Sequence, residues 1–125
     1  MQRNIGVIRQ CFMVLVGLCL LLGFSAPSSL ATPPEKIELR YNYASQTLLV
    51  TITHESNRGN HYIKTVDINK NGSIVGIETY TSQPPGGKFT YVYKIQALDD
   101  DAFEVTATCS RGDSNKSGLY TVRQQ

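Results

Sequence analysis

HYIKTVDINKNGSIVGIETY, His61 to Tyr80, is the stretch on which the fold turns. Its inner part, Asp67 to Glu78, satisfies the calcium-loop template D-x-[DN]-x-[DN]-G-x5-E at every specified position. A calcium loop of the EF-hand kind needs a helix on each side. Here HYIKTV precedes and SIVGIETY follows, both strand-like, and Asn71-Gly72 between them is the strongest short hairpin signal. The stretch therefore reads as a β-hairpin turning at Asn71-Gly72, with Glu78 in mid-strand. A calcium site of another kind stays open at this turn, because Asp67, Asn69 and Asn71 all carry oxygen donors.

The segments on either side have the same character. In IELRYNY, Ile37, Leu39, Tyr41 and Tyr43 alternate with polar residues. TLLVTITH places Leu48, Val50 and Ile52 on one face, and HYIKTVDI is expected to put Tyr62, Val66 and Ile68 on one side. KFTYVYKIQA aligns Phe89, Tyr91, Tyr93, Ile95 and Ala97, FEVTATC aligns Phe103, Val105, Ala107 and Cys109, and GLYTVR closes the chain. Period-two alternation with turn clusters between the runs, and no segment of helical period, predict an all-β protein. About seven short strands suit an immunoglobulin-like antiparallel β-sandwich, here without the disulfide of antibody domains.

The first 31 residues read as a signal peptide. Arg3 and Arg9 form a positive start, CFMVLVGLCLLLGF (Cys11 to Phe24) is an apolar core, and SAPSSLA ends with Ser29 and Ala31 at the small-residue cleavage positions. Fourteen apolar residues are few for a bilayer span, so cleavage is expected rather than anchoring, and with it export to a periplasmic or extracellular space. Removing 31 of 125 residues leaves 94, enough for one domain, 32–125. The 12 basic residues fall to 10, against 10 acidic ones. A neutral chain without basic clusters gives no reason to expect nucleic acid, or a membrane surface after cleavage; a protein partner stays open.

Cys11 and Cys19 leave with the signal, so Cys109 has no intramolecular disulfide partner in an oxidising compartment. If each short connection reverses the chain, His54, His61 and Cys109 come to one end of the sandwich. Asp67, Asn69, Asn71 and Asp99 to Asp101 come to the other. Two imidazoles and a thiolate are ligands for iron, copper or zinc, which makes His54, His61 and Cys109 the candidate metal ligands. A plainer reading stands beside this one. Cys109 shares a face with Phe103 and Val105, where a small thiol is ordinary core material, and histidines at loop edges are often solvated.

THESNRGNHYIKTVDINKNGSIV (Thr53 to Val75), an aromatic strand, and then EVTATCSRG (Glu104 to Gly112) resemble the iron domain of superoxide reductases, the desulfoferrodoxin and neelaredoxin family. The resemblance runs from about Glu35 to Gly118. It implies an immunoglobulin-like sandwich holding ferrous iron by four histidines and one axial cysteine, and, if the protein is an enzyme, an oxidoreductase that reduces superoxide to hydrogen peroxide. The matching ligands are His54, His61 and Cys109. Gly112 stands where the family has a histidine three residues after the cysteine, and Ile37 where its early E-K-H segment has one. Three of five ligands survive, and Glu55, Asp113 or water are left to fill positions. The H…HYI…V…NG pattern with SQP is also similar to a carrier-binding subunit of bacterial thiosulfate oxidation, which implies a non-enzymatic protein-binding module.

Other motifs carry less. RGDS (Arg111 to Ser114) resembles an integrin-binding tripeptide, for which coincidence is the better reading. Asn71 and Asn115 begin glycosylation sequons that matter only in a eukaryotic secretory pathway. No nucleophile–base pair or phosphate loop is present, so no catalytic residue is assigned.

Overall fold

The computed structural model describes residues 32–56 and 61–124. The expected signal peptide, 1–31, lies outside the described residues, as do 57–60 between the two histidines. Among the described residues no helix is long and apolar enough to cross a membrane.

The chain forms β1 (Lys36–Asn42), β2 (Thr47–Thr53), β3 (Ile63–Lys70), β4 (Ser73–Thr79), β5 (Lys88–Lys94), β6 (Ala102–Cys109), β7 (Ser114–Lys116) and β8 (Tyr120–Thr121). One sheet has the order β1-β2-β5; the other runs β4-β3-β6-β7, with β8 also paired to β6. All pairings are antiparallel. The expected all-β architecture is thus the observed one. Among the described residues there are eight strands where about seven were expected, and Ser114–Lys116, which no alternation marks, pairs with Thr106 to Thr108.

Alternation builds the core. Leu48, Val50 and Ile52 point inward from one sheet and Phe103, Val105 and Ala107 from the other, all fully buried. Burying each large aliphatic or aromatic side chain contributes roughly 1.5–3 kcal/mol. Tyr41 crosses between the layers, its ring stacked on Phe103 at 5.6 Å and its hydroxyl donating to the Ile95 carbonyl at 2.7 Å.

The hairpin reading holds. Asn71 and Gly72 have φ of 53° and 84°, the left-handed pair that a two-residue type I′ turn needs. Asn71 also ties this end together. Its side-chain amide donates to Asp101 Oδ1 at 2.7 Å, and its side-chain carbonyl accepts from the Ala102 N–H at 2.8 Å. The NKNG and LDDD turns therefore share an end, as chain reversal requires. With strands on both sides, this turn is not an EF-hand loop.

Near the histidines β3 departs from simple alternation. Val66 and Ile68 face the core, so period two would bring Tyr62 and Lys64 inward with them. Instead His61 and Ile63 are buried, Tyr62 is half-buried and Lys64 is exposed. The cause is a bulge. Ile63 pairs with Cys109 and Thr65 with Thr108, so β3 carries one extra residue and the alternation flips.

Candidate metal centre

Each candidate ligand continues a series of core-facing positions. His54 follows Leu48, Val50 and Ile52 by the same step of two, just past the end of β2. Cys109 ends the series Phe103, Val105, Ala107 on β6. His61 reaches the core face because of the β3 bulge, without which Tyr62 would take that side. The apolar core is capped at one end by three polar side chains.

These caps are buried and close together. His54 is 1% exposed, His61 6% and Cys109 1%, so the histidines are not solvated loop residues. One ligand atom from each, together, fall within 4.8 Å of one another. Cys109 Sγ lies 3.4 Å from His61 Nδ1, and the imidazole rings meet edge to face with centroids 4.8 Å apart. Burial first, then the neighbouring His54 and Arg111, lower the His61 pKa, which favours the neutral imidazole, the form that ligates. Cys109 is a free thiol.

Gln83, in the SQPPGG connection, fixes the orientation of His54. Its Oε1 accepts from the Ile63 backbone N–H at 3.2 Å, and its Nε2 donates to the His54 carbonyl at 3.0 Å. A backbone N–H only donates and a carbonyl only accepts, so the amide can sit only one way round. Oε1 then faces His54 Nδ1 at 2.8 Å, which must donate. A neutral His54 consequently carries its lone pair on Nε2. That nitrogen faces another acceptor, the carbonyl oxygen of Thr32, at 3.3 Å. With Nδ1 committed to Gln83, Nε2 is the His54 nitrogen left to ligate an ion.

Ile37 and Gly112, the positions where the sequence resemblance would have histidines, supply no side-chain donor. Ile37 is a core residue of β1, paired with Ile52. Gly112 closes the tight turn after Cys109, donating to the Cys109 carbonyl at 2.8 Å with φ of 102°. Neither Glu55 nor Asp113 belongs to the cluster. Glu55 is exposed, its carboxylate against the Cα of Gly87, where any Cβ would collide with it. Asp113 contributes its backbone carbonyl, which accepts from the Cys109 N–H at 2.7 Å.

The donor set is tested against metals by its chemistry. Two imidazoles and one thiolate do not fit a five-ligand square-pyramidal iron centre. They fit a first-row ion with three protein side chains and one or more further positions, as for zinc or copper. Tetrahedral bond lengths place S and N ligands about 3.6 Å apart, close to the Cys109–His61 separation. At the opposite end, Asn71 has both side-chain amide atoms engaged with the LDDD turn.

Two antiparallel sheets around one core, capped by buried histidines and a thiol, define an all-β protein with a cluster that could hold a metal ion. No model of a known protein family matches the chain, and no curated protein sequence matches it.

Proposed function

We propose that this is an exported metal-binding β-sandwich domain whose ligands are His54, His61 and Cys109. One observation carries the reading. Side chains from three separate elements, Cys109 being 48 residues from His61, converge at one buried point with their ligand atoms within 4.8 Å. The sequence likeness to the superoxide reductase iron domain supports the same three residues. By that likeness iron is the first metal to test, and any redox activity would be superoxide reduction. With Ile37 and Gly112 carrying no nitrogen ligand, the donor chemistry favours zinc or copper, and no turnover of superoxide is assigned.

A second reading is a protein-binding module without metal. The observation in its favour is that the cluster is already closed by hydrogen bonds, Cys109 with His61 and His54 with Gln83. The two readings part on metal stoichiometry. The mature protein would be loaded anaerobically with ferrous, zinc or copper ions, desalted, and its metal content measured beside Cys109→Ser, His54→Ala and His61→Ala. One equivalent in the wild type, lost in all three folded variants, supports the metal site. A folded wild type that retains none of the three metals rejects it and leaves the binding module.

A further inference from the structure

A cavity of about 530 Å³ opens where β1 meets β8, at the opposite end of β2 from His54. Its volume is in the range of small-molecule sites. Arg40, Asn42, Tyr43, Leu49, Tyr120 and Arg123 line it, and none of its lining residues is acidic.

Its walls are held by main-chain bonds. The 43–46 turn between β1 and β2 is pinned through Gln46, whose side-chain amide donates to the Tyr43 carbonyl at 2.9 Å and whose side-chain carbonyl accepts from the Ala97 N–H at 2.8 Å. Tyr120 pairs with Phe103, and its hydroxyl oxygen accepts from the Tyr41 N–H at 3.2 Å. Beside Arg123, the Val122 N–H donates to the Asp101 carbonyl at 2.7 Å, and the Val122 carbonyl accepts from the Asp100 N–H at 3.0 Å. A cavity built this way needs little ordering by a ligand, which favours binding.

The side chains around it can donate. Arg40 has no ion-pair partner among the described residues, since Glu38, two residues along the same face of β1, is engaged by Lys36 and Lys88. Arg123 holds Asp100 through Nη1, and a guanidinium has five N–H donors, so others remain. Tyr120 receives the Tyr41 N–H on its oxygen and keeps its own proton to give. Asn42 Oδ1 accepts from the Ser45 N–H at 3.0 Å, which leaves its Nδ2 hydrogens. Leu49 and Tyr43 add an apolar wall. Donors with no carboxylate among them select an oxyanion, and the apolar wall selects one carried on an organic group. Two guanidiniums, one shared with Asp100, match a dianion with three terminal oxygens better than a carboxylate. We propose that this cavity binds a small organic phosphate ester, with Arg40 as its principal contact. The site is separate from the metal cluster and does not rest on it.

Phenyl phosphate, benzoate and inorganic phosphate are each titrated into the purified protein at low salt and followed by amide chemical shifts. Saturable shifts centred on Asn42, Tyr43 and Tyr120 are expected with phenyl phosphate, and weaker binding of the other two probes. Arg40→Met removes a charge-assisted pair and is expected to weaken phenyl phosphate at least about tenfold. Arg40→Lys should fall between, because an ammonium keeps the charge without the fork. Tyr120→Phe keeps the ring and should cost roughly 2–10-fold. Lys64→Met, an exposed cation that does not line the cavity, should bind as the wild type does. Melting curves establish that each variant is folded, and Arg40→Lys carries the comparison if Arg40→Met is not. Benzoate binding as tightly as phenyl phosphate overturns the phosphate assignment, and inorganic phosphate binding as tightly overturns the organic one. Affinity that both Arg40 variants leave unchanged, or no saturable shift with any probe, overturns the site, while the metal-content comparison at His54, His61 and Cys109 stands apart from all of these results.

Discussion

Gln83 and His54 are joined twice: the histidine Nδ1–H donates to the glutamine side-chain carbonyl at 2.8 Å, and the glutamine amide donates to the histidine's backbone carbonyl at 3.0 Å. The same glutamine oxygen accepts from the Ile63 N–H at 3.2 Å. One side chain from the connection before β5 thus fixes the end of β2, the start of β3 and the ring orientation of a candidate ligand.

Gln83→Leu should therefore act on binding and stability together. It removes the acceptor that sets the His54 tautomer, so metal affinity should fall about 10–100-fold. It also leaves the Ile63 N–H and the His54 carbonyl without their partner, which should cost about 1–3 kcal/mol for each group that stays dry. Competition titration and urea melts measure the two effects. Unchanged affinity in the folded variant would remove Gln83 from the site.

The hairpin end makes a contrasting prediction. Asn71→Ala places a Cβ-bearing residue of lower left-handed tolerance at φ 53° and removes both side-chain bonds to the LDDD turn. A loss of about 1–3 kcal/mol is expected, with metal binding at the other end unchanged. Millimolar calcium should leave the wild-type melting temperature where it was. A calcium-dependent rise abolished by Asn71→Ala would restore the calcium reading of Asp67 to Glu78.

Tyr91 predicts an alkaline limit to stability. Its ring stacks on Tyr80 with centroids 4.3 Å apart, and its buried hydroxyl has no hydrogen-bond partner among the described residues. Burial, then the neighbouring Tyr80, push its pKa up to about 12 from an ordinary 10.0. As pH rises the unfolded chain loses this proton first, so the stabilising effect is full below about pH 10 and is lost as pH climbs through about 12. Tyr93 is shifted the same way, chiefly by burial. Tyr91→Phe should match or exceed the wild type at neutral pH, since it deletes an unbonded polar group, and should decline less steeply above pH 10 in urea melts. A loss of more than about 1 kcal/mol at neutral pH would mean that the hydroxyl is bonded in solution.

Cys109 should be slow to react as well as hidden. At 1% exposure beside Ile63 and His61, it should be labelled by a thiol reagent only when the end of β6 opens, and more slowly still with metal bound. Labelling followed by mass spectrometry checks this. Reaction at the rate of a free peptide thiol would contradict the burial on which the site depends.

The outline of the fold was legible because period-two alternation is a local signal. Leu48 to His54 and Phe103 to Cys109 show it without interruption, and Asn71-Gly72 marks its own turn. Chain reversal was enough to bring His54, His61 and Cys109 to one end. The bulge at Lys64 was not legible, since nothing in KTVD distinguishes a strand with one extra residue from a regular one; pairing with β6 decides it. For the same reason Tyr62 was expected inward where Ile63 is found. β7 is three residues long and exists through its pairing with β6, not through composition. Gln83 escaped because an amide carries no metal signature of its own. It becomes meaningful once geometry sets it against His54, 29 residues away in sequence.

The most direct test of the metal site is X-ray absorption at the metal edge of the mature protein carrying one equivalent of zinc. The account predicts one sulfur scatterer at about 2.3 Å and at least two imidazole nitrogens at about 2.0–2.1 Å, with the sulfur lost in Cys109→Ser. A spectrum of oxygen and nitrogen neighbours alone, unchanged by Cys109→Ser, would contradict it.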